Sequence, residues 1–129
     1  MVLQLGAERI PRPVVQHSPL GSAAFRLHVA QLRASYGAGL TLVNLIDQTG
    51  KEAALGDAYE SFVRLYGGSD IRYVAVDFHE LTKGDRYDNL SQLMDVLADD
   101  VTAEVWFSRT PQGRSSLQRA VARVNCVDW

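Results

Sequence analysis

Two short stretches hold residue types that can do chemistry. The first is Arg123-Val124-Asn125-Cys126-Val127-Asp128-Trp129, which carries the one cysteine of the chain. A thiolate is a strong nucleophile, and open α/β sheets collect their ligands at the carboxyl ends of strands. A cysteine just after a strand therefore stands where a nucleophile would. A lone cysteine also serves as a small packing hydrophobe, and spacing alone leaves both roles open. The second stretch is Asp77-Phe78-His79. On a strand, a carboxylate and an imidazole two positions apart share one face. Such a pair could bind a ligand or act as acid and base. A strand-end Asp capping a loop beside a solvated His is the plainer alternative.

Other stretches are less promising. Gly37-Ala38-Gly39 precedes an apolar run, whereas a dinucleotide fingerprint follows a strand and opens a helix. Gly67-Gly68 reads as a helix stop. Lys83, Asp85, Arg86 and Asp88 form a mixed-charge, solvated surface, and Trp106 and Trp129 read as packing residues.

These residues need a scaffold, and the composition allows one. The chain has 129 residues, 47% hydrophobic and 22% charged, which is the globular range. Thirteen basic and fifteen acidic residues leave a net charge of -2, without the basic surplus of a nucleic-acid protein. One cysteine excludes an intrachain disulfide framework and a multi-cysteine zinc site. The longest apolar run, Gly39–Ile46, is far short of the ~20 residues that span a bilayer. The N-terminus has no basic n-region followed by a long apolar stretch, so no signal peptide is expected.

Residues 1–20 are expected to form an irregular arm, because Pro11, Pro13 and Pro19 remove backbone donors. Ser22 is a candidate cap for a helix whose apolar face is Phe25, Val29, Leu32 and Tyr36. Leu40–Ile46 has the pattern of a strand covered on both faces. Leu55, Tyr59, Phe62, Val63 and Tyr66 mark a second helix. Ile71–Phe78 is rich in β-branched and aromatic residues and reads as a strand. Tyr87, Leu90, Leu93, Met94 and Leu97 mark a third helix, and Val101–Phe107 alternates as a third strand. Thr110-Pro111-Gln112-Gly113 suits a type I turn, and Leu117–Val124 reads as a returning strand. The expected fold class is α/β: a partial mixed sheet with crossover helices, whose last two strands could pair as a hairpin.

The order of these pieces resembles a known family. Phe25-Arg26-Leu27-His28 with Tyr36-Gly37 looks like the helix before the first α/β strand of the Sac-domain phosphoinositide phosphatases. Val43-Asn44-Leu45-Ile46-Asp47-Gln48-Thr49-Gly50 is similar to that family's VNLINQKG segment. Ala58-Tyr59-Glu60 fits the helix after it. Ile71–His79 resembles IRYVxFDFH, and Gln118–Asp128 resembles QxGVxRTNCxD, the run into the family's Cys-x5-Arg loop. The likeness runs from about residue 11 to 128. It implies that residues 21–129 are part of a Sac-type catalytic domain.

The resemblance implies a hydrolase that removes phosphate from phosphatidylinositol phosphates through a phosphocysteine, at the cytoplasmic face of endomembranes. Cys126 falls on the nucleophile and Asp128 on the first loop aspartate. Arg123 and Asn125 fall on the lead-in, and Asp77 and His79 on the DFH segment that helps to shape the substrate site. No metal and no cofactor is implied. The departures are informative. Ala120 replaces a Gly and Val124 a Thr. Trp129 stands where the family has its second loop Cys, and this sequence carries no loop arginine. Losing an electrostatic clamp of that kind costs ~100- to 1000-fold. The expectation is little or no activity of this polypeptide alone. The alternative is a non-catalytic pseudophosphatase or interaction fragment, with a protein partner or a second copy covering exposed sheet edges. A small nucleotide-binding domain is a third reading, which lacks a phosphate loop to support it.

Overall fold

The computed structural model describes residues 14–15, 19–37, 39–101, 107–117 and 120–126. Helix α1 runs Pro19–Tyr36 and starts ahead of Ser22, which therefore lies inside the helix. Proline suits a first helical turn, where its missing N–H has no partner to lose and its φ is already helical. Strand β1 (Gly39–Asn44) follows, then α2 (Ala53–Tyr66) and β2 (Ile71–Ala75). Gly67 stops α2 in the left-handed conformation, φ 64°, and returns its N–H to Val63 O at 3.2 Å. That conformation is open to glycine and strained for other residues.

A single-turn helix α3 (Phe78–Thr82), a 3-10 turn at Tyr87–Asn89 and helix α4 (Leu90–Val101) come next. Strands β3 (Ser108–Arg109) and β4 (Ser115–Ser116) form a short antiparallel hairpin. The expected turn closes it, with Gly113 N donating to Thr110 O at 2.9 Å. Strand β5 (Ala120–Asn125) is the last strand among the described residues.

The main sheet has the order β2-β1-β5, and both pairings are parallel. Here the structure departs from the expected hairpin of the last two strands. The tight turn is used by β3 and β4, and the chain then enters the sheet beside β1 in the parallel sense. The expected third strand, Val101–Phe107, falls mostly outside the described residues. Val101 closes α4, and residues 102–106 lie outside those described.

Both faces of β1 are covered, as its unbroken apolar run predicts. Leu40 and Leu42 pack with Val29 of α1, joined by Phe25, Tyr59, Val63 and Tyr73. Val43 points the other way, into a cluster with Val74 and Leu97 of α4. Ring contacts tie α1 to α2: Phe25 lies 5.9 Å from Tyr59 and 6.1 Å from Phe62 between ring centres. Such pairs add about 0.5–1.5 kcal/mol each beyond the area that they bury. The two helix layers thus clamp the sheet and fix where its carboxyl edge stands.

Candidate active site at the carboxyl edge of the sheet

Three strands end level with one another. Asn44 is the register partner of both Ala75 and Asn125. The ladder continues one step further, with Val76 N donating to Asn44 O and Leu45 N to Asn125 O, each at 2.9 Å. The loops that leave this edge carry most of the residues with chemistry.

β2 stops at Ala75, short of the expected Phe78, because Asp77 caps α3. Its Oδ1 accepts Glu80 N at 3.0 Å, and its Oδ2 accepts Gln48 N from the β1–α2 loop at 3.0 Å. Asp77 and His79 therefore sit on a helix start and not on one face of a strand. The Asp-x-x-Glu spacing of Asp77 and Glu80 is half of a capping box and was the available signal for this turn. His79 Nδ1 lies 2.5 Å from Asp47 Oδ1, and its ring is 55% exposed. That hydrogen bond, with the charge of Asp47 and smaller contributions from Glu52 and Asp77, holds the imidazole pKa above its usual 6.5 against a little desolvation. Glu52, only 4% exposed, accepts Asp47 N at 3.4 Å.

Cys126 follows β5 directly and is exposed, which removes the reading of a buried packing cysteine. Asn125 Nδ2 donates to Asn44 Oδ1 at 2.8 Å. Arg123 lies below the edge, level with Leu42, and its Nε donates to His28 Nε2 of α1 at 3.1 Å. Asp128 lies outside the described residues. The structure thus gathers Asp77, His79, Asn125 and Cys126 along one edge and sets Arg123 one pleat inside it.

Sequence reasoning missed Asn44, Asp47 and Tyr73. Asn44 is 2% exposed, and a carboxamide inside an apolar strand run is a readable signal, since burial is costly without partners. Its Nδ2 donates to Tyr73 OH at 3.0 Å. Burial raises the Tyr73 phenol, and the Asn44 contact partly offsets this. Beside Asn44 and Tyr73, a cleft of about 130 Å³ is walled by Gln48, Gly56, Asp57 and Glu60. Among the described residues, no group of three or more His, Cys, Asp or Glu could hold a metal ion, and no helix is long and apolar enough to cross a membrane.

The SacI homology domain family matches residues 4–83. This chain belongs to the SacI homology domain family. The SacI homology match takes in β1, β2, Asp47, Asp77 and His79, while Cys126 lies beyond it. Curated relatives carry the likeness along the chain. Phosphatidylinositide phosphatase SAC2 of Danio rerio is 38% identical over 89 residues, 69% of this chain and 8% of that protein. Phosphatidylinositide phosphatase SAC2 of Homo sapiens is 31% identical over 125 residues, 97% of this chain and 11% of that protein. Phosphatidylinositol-3-phosphatase SAC1 of Drosophila melanogaster is 34% identical over 119 residues, 92% of this chain. The SacI homology chain described here spans about a tenth of the length of the SAC2 relatives.

Proposed function

We propose that this chain is part of the catalytic region of a phosphoinositide phosphatase, which removes phosphate monoesters from phosphatidylinositol phosphates through a phosphocysteine on Cys126. The observation that carries the reading is the place of Cys126, the residue after β5 at the carboxyl edge of a parallel sheet in a SacI homology chain. Open α/β sheets bind ligands at that edge. In the reaction an S–P bond forms as the bond from phosphorus to the inositol oxygen breaks, and that oxygen takes a proton. Water then cleaves the S–P bond, which restores the thiolate and frees phosphate. His79, whose protonated form its contact with Asp47 favours, and Asp128, by its match to the first loop aspartate, are the proton donors we assign. Asn125 sets the thiol's approach, Asp77 ties the loops together, and Arg123 supports β5 through His28. The substrate is presented at a membrane surface, on the cytoplasmic face of endomembranes.

By itself the chain turns such substrates over weakly or not at all. The carboxylates Asp47, Glu52 and Asp77 are engaged with one another's loops and with the His79 imidazole, and Arg123 is engaged by His28. A phosphoryl group needs a cationic clamp in its transition state. The test is phosphate release from dioctanoyl phosphatidylinositol phosphates, with acid quenching to trap the adduct. A slow, Cys126-borne phosphate adduct and release near the blank are expected. Release that survives Cys126→Ser, or no adduct at any pH, sinks the phosphocysteine. Rapid release abolished by Cys126→Ser sinks the claim of weak activity.

A non-catalytic interaction fragment is the second reading. Phe107, Leu117 and Val124 are 63%, 75% and 55% exposed, which favours a covering partner or second copy. Sedimentation that does not change with concentration counts against self-association.

A further inference from the structure

β5 is a weakly determined strand. Its residues Ala120–Asn125 mix small, branched and polar side chains, and none of them is fully buried, although Val121 packs against the core of Val29, Leu40 and Leu42. One such contact is a weak guide to which residue of β5 stands opposite which residue of β1, and a strand with few buried side chains is prone to slip. Two polar contacts are a closer guide. Arg123 Nε donates to His28 Nε2, and Asn125 Nδ2 donates to Asn44 Oδ1.

Asn44 is itself held from both ends. Its Oδ1 also accepts Ile46 N at 3.3 Å, and its Nδ2 donates to Tyr73 OH on β2. The carboxamide is one of the four largest fully buried side chains of the chain's described part. Asn125 Oδ1 is buried with no hydrogen-bond partner among the described residues, so among the described contacts it is the bond to Asn44 that orients that side chain. A buried polar pair contributes little net stability over an apolar pair of similar size. Its best-attested use is to select one alignment of two elements, as a core Asn does in coiled coils.

We propose that the Tyr73–Asn44–Asn125 chain is a register pin, which fixes β5 against β1 and so sets where Cys126 stands on the sheet edge, with Asn44 as the positioning residue. The functional meaning rests on Cys126 being the nucleophile; the pin itself does not. A slip of two residues keeps every side chain on its face. It brings Arg123 opposite Asn44 and carries Cys126 ~6.6 Å along the strand axis. A misplacement of ~1 Å already costs about 100-fold in rate, so a slipped register removes the nucleophile altogether.

The chain has one cysteine, so a trifluoromethyl thiol reagent labels Cys126 alone and its fluorine NMR spectrum reports the position of that residue. The wild-type chain gives one resonance. The double variant Asn44→Val with Asn125→Val removes both members of the pair, and with them the acceptor of Ile46 N and the donor to Tyr73 OH. It melts below the wild type, because Ile46 N loses its partner, and it splits the signal into two or more resonances. One resonance in the double variant, or several in the wild type, overturns the pin. Should the double variant not fold, Tyr73→Phe decides. It removes the acceptor for Asn44 Nδ2 and leaves the amide held through Oδ1 alone, by Ile46 N and Asn125 Nδ2, so the pin is loosened at its β2 end. At least a twofold broadening or a second resonance is expected, and an unchanged sharp line overturns the pin. A wild type with one resonance but no phosphocysteine on acid quenching sinks the nucleophile reading and leaves the pin standing.

Discussion

His79 Nδ1 meets Asp47 Oδ1 at 2.5 Å, which joins the first turn of α3 to the loop after β1. The contact spans two of the segments that leave the sheet edge. The groups facing the imidazole are Asp47, Glu52 and Asp77, all acidic. The folded protein thus favours the protonated ring, above the value of about 6.5 that an unfolded chain shows. A raised folded pKa gives stability that is fully present below about pH 6.5 and is lost as pH rises through the folded value. The ring is 55% exposed, so the contribution stays within about 1 kcal/mol. NMR titration of the His79 ring protons should give a midpoint above 6.5 that falls towards it in Asp47→Asn. A midpoint unmoved by that substitution removes Asp47 as the cause.

Asp77 performs two tasks with its two oxygens, one at the α3 cap and one on Gln48 N. Asp77→Ala should lose about 1–2 kcal/mol in urea unfolding, the range of a lost cap. Asp77→Asn keeps an oxygen able to cap and should recover more than half of that loss. Equal losses in the two variants would mean that charge, and not the hydrogen bond, holds the turn.

Much of the scaffold was legible in the sequence. The run from Leu40 read as a strand covered on both faces, and Leu42 and Val43 do enter opposite clusters. Its end was not legible, since Leu45 and Ile46 are as apolar as the strand that they leave. The same holds at β2, where Val76 continues the apolar pattern and only the Asp77–Glu80 spacing marks the new helix. Partners distant in sequence were out of reach. Asn44 and Asn125 are 81 positions apart, and Asp47 and His79 are 32 apart. No local periodicity reports such a pairing. The partner strand of β5 was missed for a related reason: a short turn at Thr110–Gly113 implies a hairpin, but gives no size for the strands that it joins.

The sheet is secured unevenly, and that asymmetry is measurable. Leu42 at the centre of β1 is 1% exposed, between α1 and the strands beside it, whereas Val124 on β5 is 55% exposed. Removing buried methyl groups costs their transfer free energy and leaves a cavity that the close-packed surroundings fill only in part. Leu42→Ala should therefore lose about 2–5 kcal/mol in urea unfolding, a large share of the 5–15 kcal/mol that such domains have in total. Val124→Ala should stay within about 0.5 kcal/mol of the wild type, as surface substitutions do. If Val124→Ala instead costs more than about 1 kcal/mol, Val124 is covered in solution, and a concentration-dependent unfolding midpoint would trace that cover to a second copy of the chain.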